Sequence, residues 1–196
     1  MSLPNRIRSV SLLELLTAIA LITIVILGIA SIEIFSRHHV LSSDRRAKLQ
    51  NEASLALEHM TKHISDAIGN TASSEPPFVL YADNKGIRVR TDSNRDGRVD
   101  VNDVWIAYRH EDIGSPVTDS AIRYYPTAGT GVSPSGTPQP IARKVVIGST
   151  GFELTTEGRT IEVKITCRWH PNQAVSVDNP EVTMRSKIDM PSVSAN

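Results

Sequence analysis

Apolar residues form one long run near the start of the chain. Within residues 10–32 the only charged side chain is that of Glu14. As an α-helix, this run would extend roughly 35 Å, which is enough to cross a bilayer. A carboxylate inside such a run costs a few kcal/mol, so Glu14 requires a partner or a function. The pattern predicts a transmembrane helix over residues 10–35.

The polar segment after Phe35 keeps an apolar stripe with helical spacing. The stripe consists of Leu49, Ala53, Leu57, Met60, Ile64 and Ile68, at steps of three or four residues. Gly69 and Asn70 then provide a helix stop. We therefore predict an amphipathic helix over residues 36–70, continuous with the apolar one. A single helix would extend from Val10 to Ile68 and lay its stripe onto a globular domain.

Two histidines lie one helical turn apart in this amphipathic segment. His59 and His63 have the i, i+4 spacing that can place two imidazoles on a metal ion. Lys62 and Asp66 lie beside them in the sequence, so the simpler interpretation is a solvated polar face.

Period-two alternation in the rest of the chain predicts a β-rich domain over residues 71–196. The candidate strands are 78–82, 86–91, 104–110, 120–125, 143–147, 151–155, 160–169 and 181–190. Alternation in 160–169 places Cys167 on the core face. With a helix covering one face of an antiparallel sheet, the predicted fold class is α+β. We interpret 71–77 as a linker and 126–140 as a flexible loop that buries too little apolar area to order itself.

Composition narrows the function classes. The chain has 196 residues, with 21 basic and 21 acidic side chains. This lack of a basic surplus gives no reason to predict nucleic-acid binding. Because Cys167 is the only cysteine, an intrachain disulfide and a cysteine-based zinc site are both excluded. The sequence contains no G-x-S-x-G, H-E-x-x-H, P-loop or G-x-G-x-x-G motif, so we do not expect an enzyme.

Residues 92–103 have the spacing of an EF-hand-like calcium loop, D-x-N-x-D-G-x-V-D-x-x-D. The expected ligands are the side chains of Asp92, Asn94, Asp96, Asp100 and Asp103 and the backbone carbonyl of Arg98. Gly97 would permit the sharp turn. The last ligand is Asp, where an EF-hand has Glu. A polar turn rich in Asp, Asn and Gly is the alternative interpretation.

The segments that flank this motif alternate as strands do, whereas an EF-hand has helices there. We therefore place the loop at the tip of a β-hairpin. Its Ca²⁺ would be structural, clamping the hairpin in a compartment where calcium is abundant.

The N-terminus carries a second recognisable pattern. Arg6 and Arg8 precede a candidate cleavage point between Ser9 and Val10, and Glu14 would then be the fifth residue of the mature chain. This arrangement resembles the class III signal of type IV pilins and pseudopilins. Two positions depart from the family pattern: Ser9 stands where Gly is usual, and Val10 where Phe is common.

The resemblance implies how the N-terminus is processed and used. A prepilin peptidase would remove the leader, residues 1–9, and the new amine of Val10 would be methylated. Glu14 would pair with the amine of a neighbouring subunit and set the register between subunits. Two charges in a low-dielectric filament core strongly favour such pairing, even where it adds little net stability.

The resemblance also implies a function. The order of helix, strands and loops is similar to that of minor pilins and pseudopilins, especially the J-type pseudopilin of type II secretion and the W-type minor pilin. We expect a structural subunit that takes part in assembly of a type IV pilus or a pseudopilus, at initiation or at the filament tip. It would sit in the inner membrane by a single pass, with its head in the periplasm. The implied partners are other pilin-like subunits, the prepilin peptidase and the inner-membrane assembly platform.

Other interpretations of the apolar segment stay open. A secretory signal peptide cut between Ala30 and Ser31 would release a soluble protein, for example a hydrolase with an unrecognised site. An ordinary signal anchor would leave a membrane-tethered, calcium-binding recognition module with no filament role. Replacement of Glu14 by Leu separates these cases, because only a filament subunit needs the carboxylate.

Overall fold

The computed structural model describes residues 11–70, 76–94, 96–114, 116–131, 133–158, 160–190 and 192–194. The expected cleavage point, Ser9 and Val10, lies outside these residues, as does most of the 71–77 linker. The chain divides into two compact units, Met1–Leu41 and Ser42–Asn196.

A single helix, α1, comprises 54 residues, Leu12–Ser65. In the first unit its large apolar side chains are exposed, from Leu12 through Leu41. The helix is long and apolar enough to cross a membrane, and a signal sequence has the same properties. The sequence therefore predicted this apolar helix correctly, within two residues of its observed start.

The second part of α1 belongs to the other unit and buries the predicted stripe. Its buried side chains are Leu49, Ala53, Ala56, Leu57, Met60 and Ile64. Helix and stripe end earlier than expected, because the last predicted stripe residue, Ile68, belongs to a strand. In that strand Ile68 is still buried, so the apolar pattern alone does not distinguish the two conformations.

Ten strands follow the helix in the described part of the chain. They are β1 Ile68–Asn70, β2 Phe78–Leu80, β3 Gly86–Thr91, β4 Val104–Ile113, β5 Asp119–Tyr125, β6 Gln139–Arg143, β7 Phe152–Glu157, β8 Thr160–Arg168, β9 Glu181–Asp189 and β10 Ser192–Ser194. Strands β2 to β6 form an antiparallel sheet in sequence order, and β7 to β9 form a second one. Strands β1 and β10 pair in parallel. The α+β class is confirmed.

The core joins the helix to both antiparallel sheets. Alternate residues of β3, β4 and β5 contribute Ile87, Val89, Ile106, Tyr108 and Ile122, and β7 and β8 contribute Phe152, Ile161, Val163, Ile165 and Cys167. Burial raises the pKa of the Cys167 thiol to about 12, which leaves almost no reactive thiolate at neutral pH. The prediction that Cys167 faces the core is therefore confirmed.

One predicted strand, 143–147, is wrong. The structure instead pairs β6 with β5 over residues 139–143, and beyond it Val145 makes only an isolated bridge to Cys167. Lys144 interrupts the extended chain with a φ of 57°. That left-handed conformation is rare for a residue with a side chain, and it ends the strand.

The segment 126–140 is also more ordered than predicted. Its last two residues belong to β6. Earlier in the segment, the Ala128 amide donates a hydrogen bond to the Trp105 carbonyl (2.6 Å), and the Arg88 side chain donates one to the Gly131 carbonyl (2.9 Å). Ala128 is buried. Backbone hydrogen bonds to the sheet thus compensate for the small apolar area of this loop.

Candidate functional site

Residues 92–103 connect two strands of the five-stranded sheet. Strands β3 and β4 pair up to Thr91 and Val104, so the segment lies at the tip of their hairpin. Gly97 has a φ of 72°, the left-handed conformation that the sharp turn requires. The predicted position of the loop is therefore confirmed.

Short local hydrogen bonds shape the first half of this loop. Asp92 Oδ2 accepts from the Gly97 amide (2.8 Å), and Asp96 Oδ1 accepts from the Arg98 amide (2.8 Å). Asn94 Nδ2 lies 2.9 Å from Asp96 Oδ2 and 3.4 Å from Asp100 Oδ2. The side chains of three predicted ligands, Asn94, Asp96 and Asp100, therefore lie close together.

Asp103 closes the loop from the end of the hairpin. Its Oδ2 accepts a hydrogen bond from the Asp100 amide (2.8 Å), and its side chain is 0% exposed. Burial raises the pKa of Asp103; the Asp100 amide and Arg90 oppose that effect, and the negative charges of Asp100 and Asp92 add to it. The position-twelve carboxylate is thus buried at a cost that the Asp100 amide and the positive charge of Arg90 offset.

Two carboxylate oxygens in the loop are buried and have no hydrogen-bond partner in the part of the chain that the structure describes. They are Oδ1 of Asp92 and Oδ1 of Asp103, the first and last predicted ligands. A buried polar atom in this state is costly, and a hard cation would satisfy both oxygens. The donor set, all oxygen with four carboxylates, fits Ca²⁺ better than a softer metal.

The loop is not a closed coordination shell. Within the described ranges, no three His, Cys, Asp or Glu side chains converge as they would around an ion. The Arg98 contact described above uses its amide, whereas the prediction for Arg98 concerned its carbonyl. Ion binding would therefore require small side-chain movements toward a common centre.

Glu14 makes an N-terminal capping box with Ser11. The Glu14 carboxylate accepts from the Ser11 amide (3.0 Å), and the Ser11 hydroxyl accepts from the Glu14 amide (3.2 Å). This reciprocal pattern satisfies two amides that a helix start leaves unpaired. The sequence carries the signal for it, S-x-x-E at Ser11 to Glu14, beside the intersubunit role predicted for Glu14.

His59 and His63 do not lie on a solvated face, and that simpler interpretation is wrong. Both are half-buried, and His63 stacks on Tyr124 with the ring centroids 5.5 Å apart. His59 Nδ1 lies 3.1 Å from the hydroxyl of the buried Tyr108. The two rings therefore extend the helix–sheet contact, with burial lowering the pKa of each.

A third histidine, His110, is almost fully buried. Its Nε2 lies 2.8 Å from the Ser120 hydroxyl, and that hydroxyl donates to the Val145 carbonyl (2.6 Å). The Ser120 oxygen thus accepts from His110 Nε2–H, and within the described ranges the buried Nδ1 has no hydrogen-bond partner. A protonated His110 would bury an unpaired donor, and desolvation lowers its pKa.

These three histidines predict a loss of stability in mild acid. Because folding lowers each pKa, the unfolded chain binds more protons once the pH falls through about 6.5. Their stabilising contribution is complete above that pH and is lost below it. We expect the melting temperature to be several degrees lower at about pH 5.5 than at about pH 7.5, measured by circular dichroism. A His59→Gln/His63→Gln variant should show a smaller decrease, and equal melting temperatures at both pH values would contradict this account.

No protein-family model, no curated protein and no solved structure matches this chain.

Proposed function

We propose that this protein is a minor pilin-like structural subunit that takes part in assembly, at initiation or at the tip, of a type IV pilus or a type II secretion pseudopilus. One observation carries the proposal. Glu14, in the first turn of α1, carries the only charge within the apolar run of residues 10–32, and the same helix continues into the amphipathic part that packs on antiparallel sheets. A helix used only to cross a bilayer has no need of that carboxylate.

The apolar part of α1 serves two environments in this proposal. Before assembly it crosses the inner membrane, where its exposed apolar side chains contact lipid. In a filament the same surface packs against equivalent helices of other pilin-like subunits. Glu14 then pairs with the amine of Val10 on a neighbour, and a charge pair in that low-dielectric core fixes one register among many similar apolar ones.

The hairpin loop supplies a structural Ca²⁺ site in the periplasmic head. Asp92, Asn94, Asp96, Asp100 and Asp103, with the Arg98 carbonyl, would hold the ion. When bound, the ion adds positive charge to a loop that carries four carboxylates. The buried Oδ1 atoms of Asp92 and Asp103 support this assignment, because neither has a hydrogen-bond partner among the residues described.

The mature N-terminus tests the proposal directly. Mass spectrometry of the protein from cells with a prepilin peptidase should show a chain that starts at a methylated Val10. Cells that lack the peptidase should contain only the uncut form. A start at Ser31, or an intact Met1 in both strains, would contradict the pilin-like assignment.

A second candidate is a membrane-tethered recognition module that binds calcium and joins no filament. The capping box favours it, because Ser11 gives the Glu14 carboxylate a helix-starting role within one chain. The two candidates differ in what Glu14 must do, so variants of Glu14 and Ser11 distinguish them.

A further inference from the structure

Arg90 contacts the hairpin loop although it lies outside the predicted ligand set. It belongs to β3, and its Nε is 3.4 Å from Asp103 Oδ2. Its guanidinium also donates to the Asp100 carbonyl (3.0 Å) and lies over the Trp105 ring, 5.9 Å from the centroid. One side chain thus connects the strand before the loop to the second half of the loop.

The contact with Asp103 is electrostatic. The Arg90 side chain is 13% exposed and that of Asp103 is 0% exposed. Among the described residues, Asp103 Oδ1 has no hydrogen-bond partner. Arg90 therefore offsets the buried charge of Asp103 without satisfying its free oxygen. Removal of one member of such a pair leaves an uncompensated buried charge.

Arg90 cannot move away easily when a cation arrives. Trp105 lies directly opposite it on β4, and the Asp100 carbonyl holds the other side of the guanidinium. Asp103, in contrast, keeps its Oδ2 position through the Asp100 amide even without Arg90. A divalent ion bound at Asp103 Oδ1 would thus lie close to a fixed positive charge, which repels it.

We propose that Arg90 sets the calcium affinity of the loop by acting as a resident cation for Asp103. This inference rests on the proposed calcium site and adds a residue to it. Arg90 has two opposing effects: it lets the head fold when the loop holds no calcium, and it weakens calcium binding. A loop tuned in this way responds to millimolar rather than trace calcium, the range of extracellular calcium modules.

The test compares Arg90→Met with Arg88→Met in the intact chain, purified in a mild detergent. Arg88 is the matched control, because it lies two residues earlier on the same strand and also stacks on Trp105 (4.9 Å). Arg88 bonds to the Gly131 carbonyl, outside the calcium loop. Thermal unfolding is followed by circular dichroism, with chelator and with calcium, and calcium affinity is measured by calorimetry.

Without calcium, Arg90→Met should melt about 5–10 °C below the wild type. Its calcium dissociation constant should be about three- to tenfold lower than that of the wild type. Calcium should therefore raise its melting temperature by more than it raises that of the wild type. Arg88→Met should melt lower by the same amount in both conditions and bind calcium as the wild type does.

Asp103→Asn separates this inference from the calcium site. In the Asp103→Asn background without calcium, Arg90→Met should cost much less stability, because the buried charge is gone. If the stability losses of Arg90→Met and Asp103→Asn are fully additive, or if Arg90→Met binds calcium more weakly than the wild type, the proposed role of Arg90 is overturned. Neither result would bear against the calcium site itself. A wild-type chain that fails to bind calcium would instead overturn the proposed site.

Discussion

Replacement of Glu14 by Leu is expected to abolish incorporation of this chain into a filament while leaving it inserted in the membrane. The substitution removes the one charge of the apolar run, so insertion into the bilayer becomes more favourable. It also removes the carboxylate that would pair with the Val10 amine of a neighbour. Two measurements check this result: the amount of protein in the membrane fraction, and its crosslinking to other pilin-like subunits in sheared filaments.

Two further variants separate the charge of Glu14 from its capping role. Glu14→Gln keeps a side chain that can complete the capping box but has no charge, so it should fail to assemble as Glu14→Leu does. Ser11→Ala removes the capping hydroxyl and keeps the carboxylate, at a cost of about 1 kcal/mol to the helix start. It should still assemble.

Glu33→Leu is the matched control. Glu33 is a carboxylate on the same helix, where it pairs with Arg37 on the surface (2.5 Å), and such exposed pairs contribute little. This variant should assemble normally. If Glu14→Gln assembles as well as the wild type while Ser11→Ala does not, the capping box explains Glu14 and the filament assignment fails.

The sequence predicts those elements whose pattern is local. Strand β3 was predicted with its observed bounds, 86–91, and β8 differs from its prediction by one residue. In both strands every second residue faces the core, so apolar residues at every second position of the sequence indicate which side chains are buried. The stripe of α1 was predicted for the same reason, at a period of 3.6 residues.

Elements that depend on distant pairing could not be predicted. Strands β1 and β10 have three residues each and exist because Ile68–Asn70 meets Ser192–Ser194. Likewise, Ala142 lies opposite Ile122, and no sequence pattern within 139–143 predicts that pairing. Short segments carry too little pattern to outweigh the tertiary contacts that decide their conformation.

The candidate site likewise has features that local sequence predicts and features that depend on distant contacts. The loop at 92–103 can be predicted from spacing, since Gly97 and the acidic residues lie within twelve consecutive positions. The contributions of Arg90, from β3, and of the His59–Tyr108 contact depend on strand register and on which helix face meets the sheet. Only a folded chain reveals that a strand arginine neutralises a loop carboxylate.

The largest expected effect on the head comes from the proposed calcium site. At about 5 mM calcium, a site with a dissociation constant of roughly 10⁻⁴ to 10⁻³ M stabilises the folded chain by about 1–2 kcal/mol. For a head of this size that corresponds to a rise in melting temperature of about 2–9 °C. Asp92→Asn removes the first carboxylate ligand and keeps an oxygen for the Gly97 amide, the contact that shapes the turn. We therefore expect this variant to fold but to lose the calcium-dependent rise, as measured by circular dichroism with calcium or chelator.

The control for that experiment is another acidic turn residue. Asp83 accepts from the Lys85 amide (3.0 Å) and pairs with Arg109 (2.8 Å), in the turn that connects β2 to β3. Asp83→Asn changes the same charge at the other end of β3 and should keep the full response to calcium. Magnesium should give a smaller rise in the wild type, because it requires a tighter octahedral shell than a loop of carboxylates and amides offers. Equal responses of the wild type and Asp92→Asn would show that the oxygens at 92–103 do not hold the ion, and the loop would then be an acidic turn stabilised only by its own hydrogen bonds.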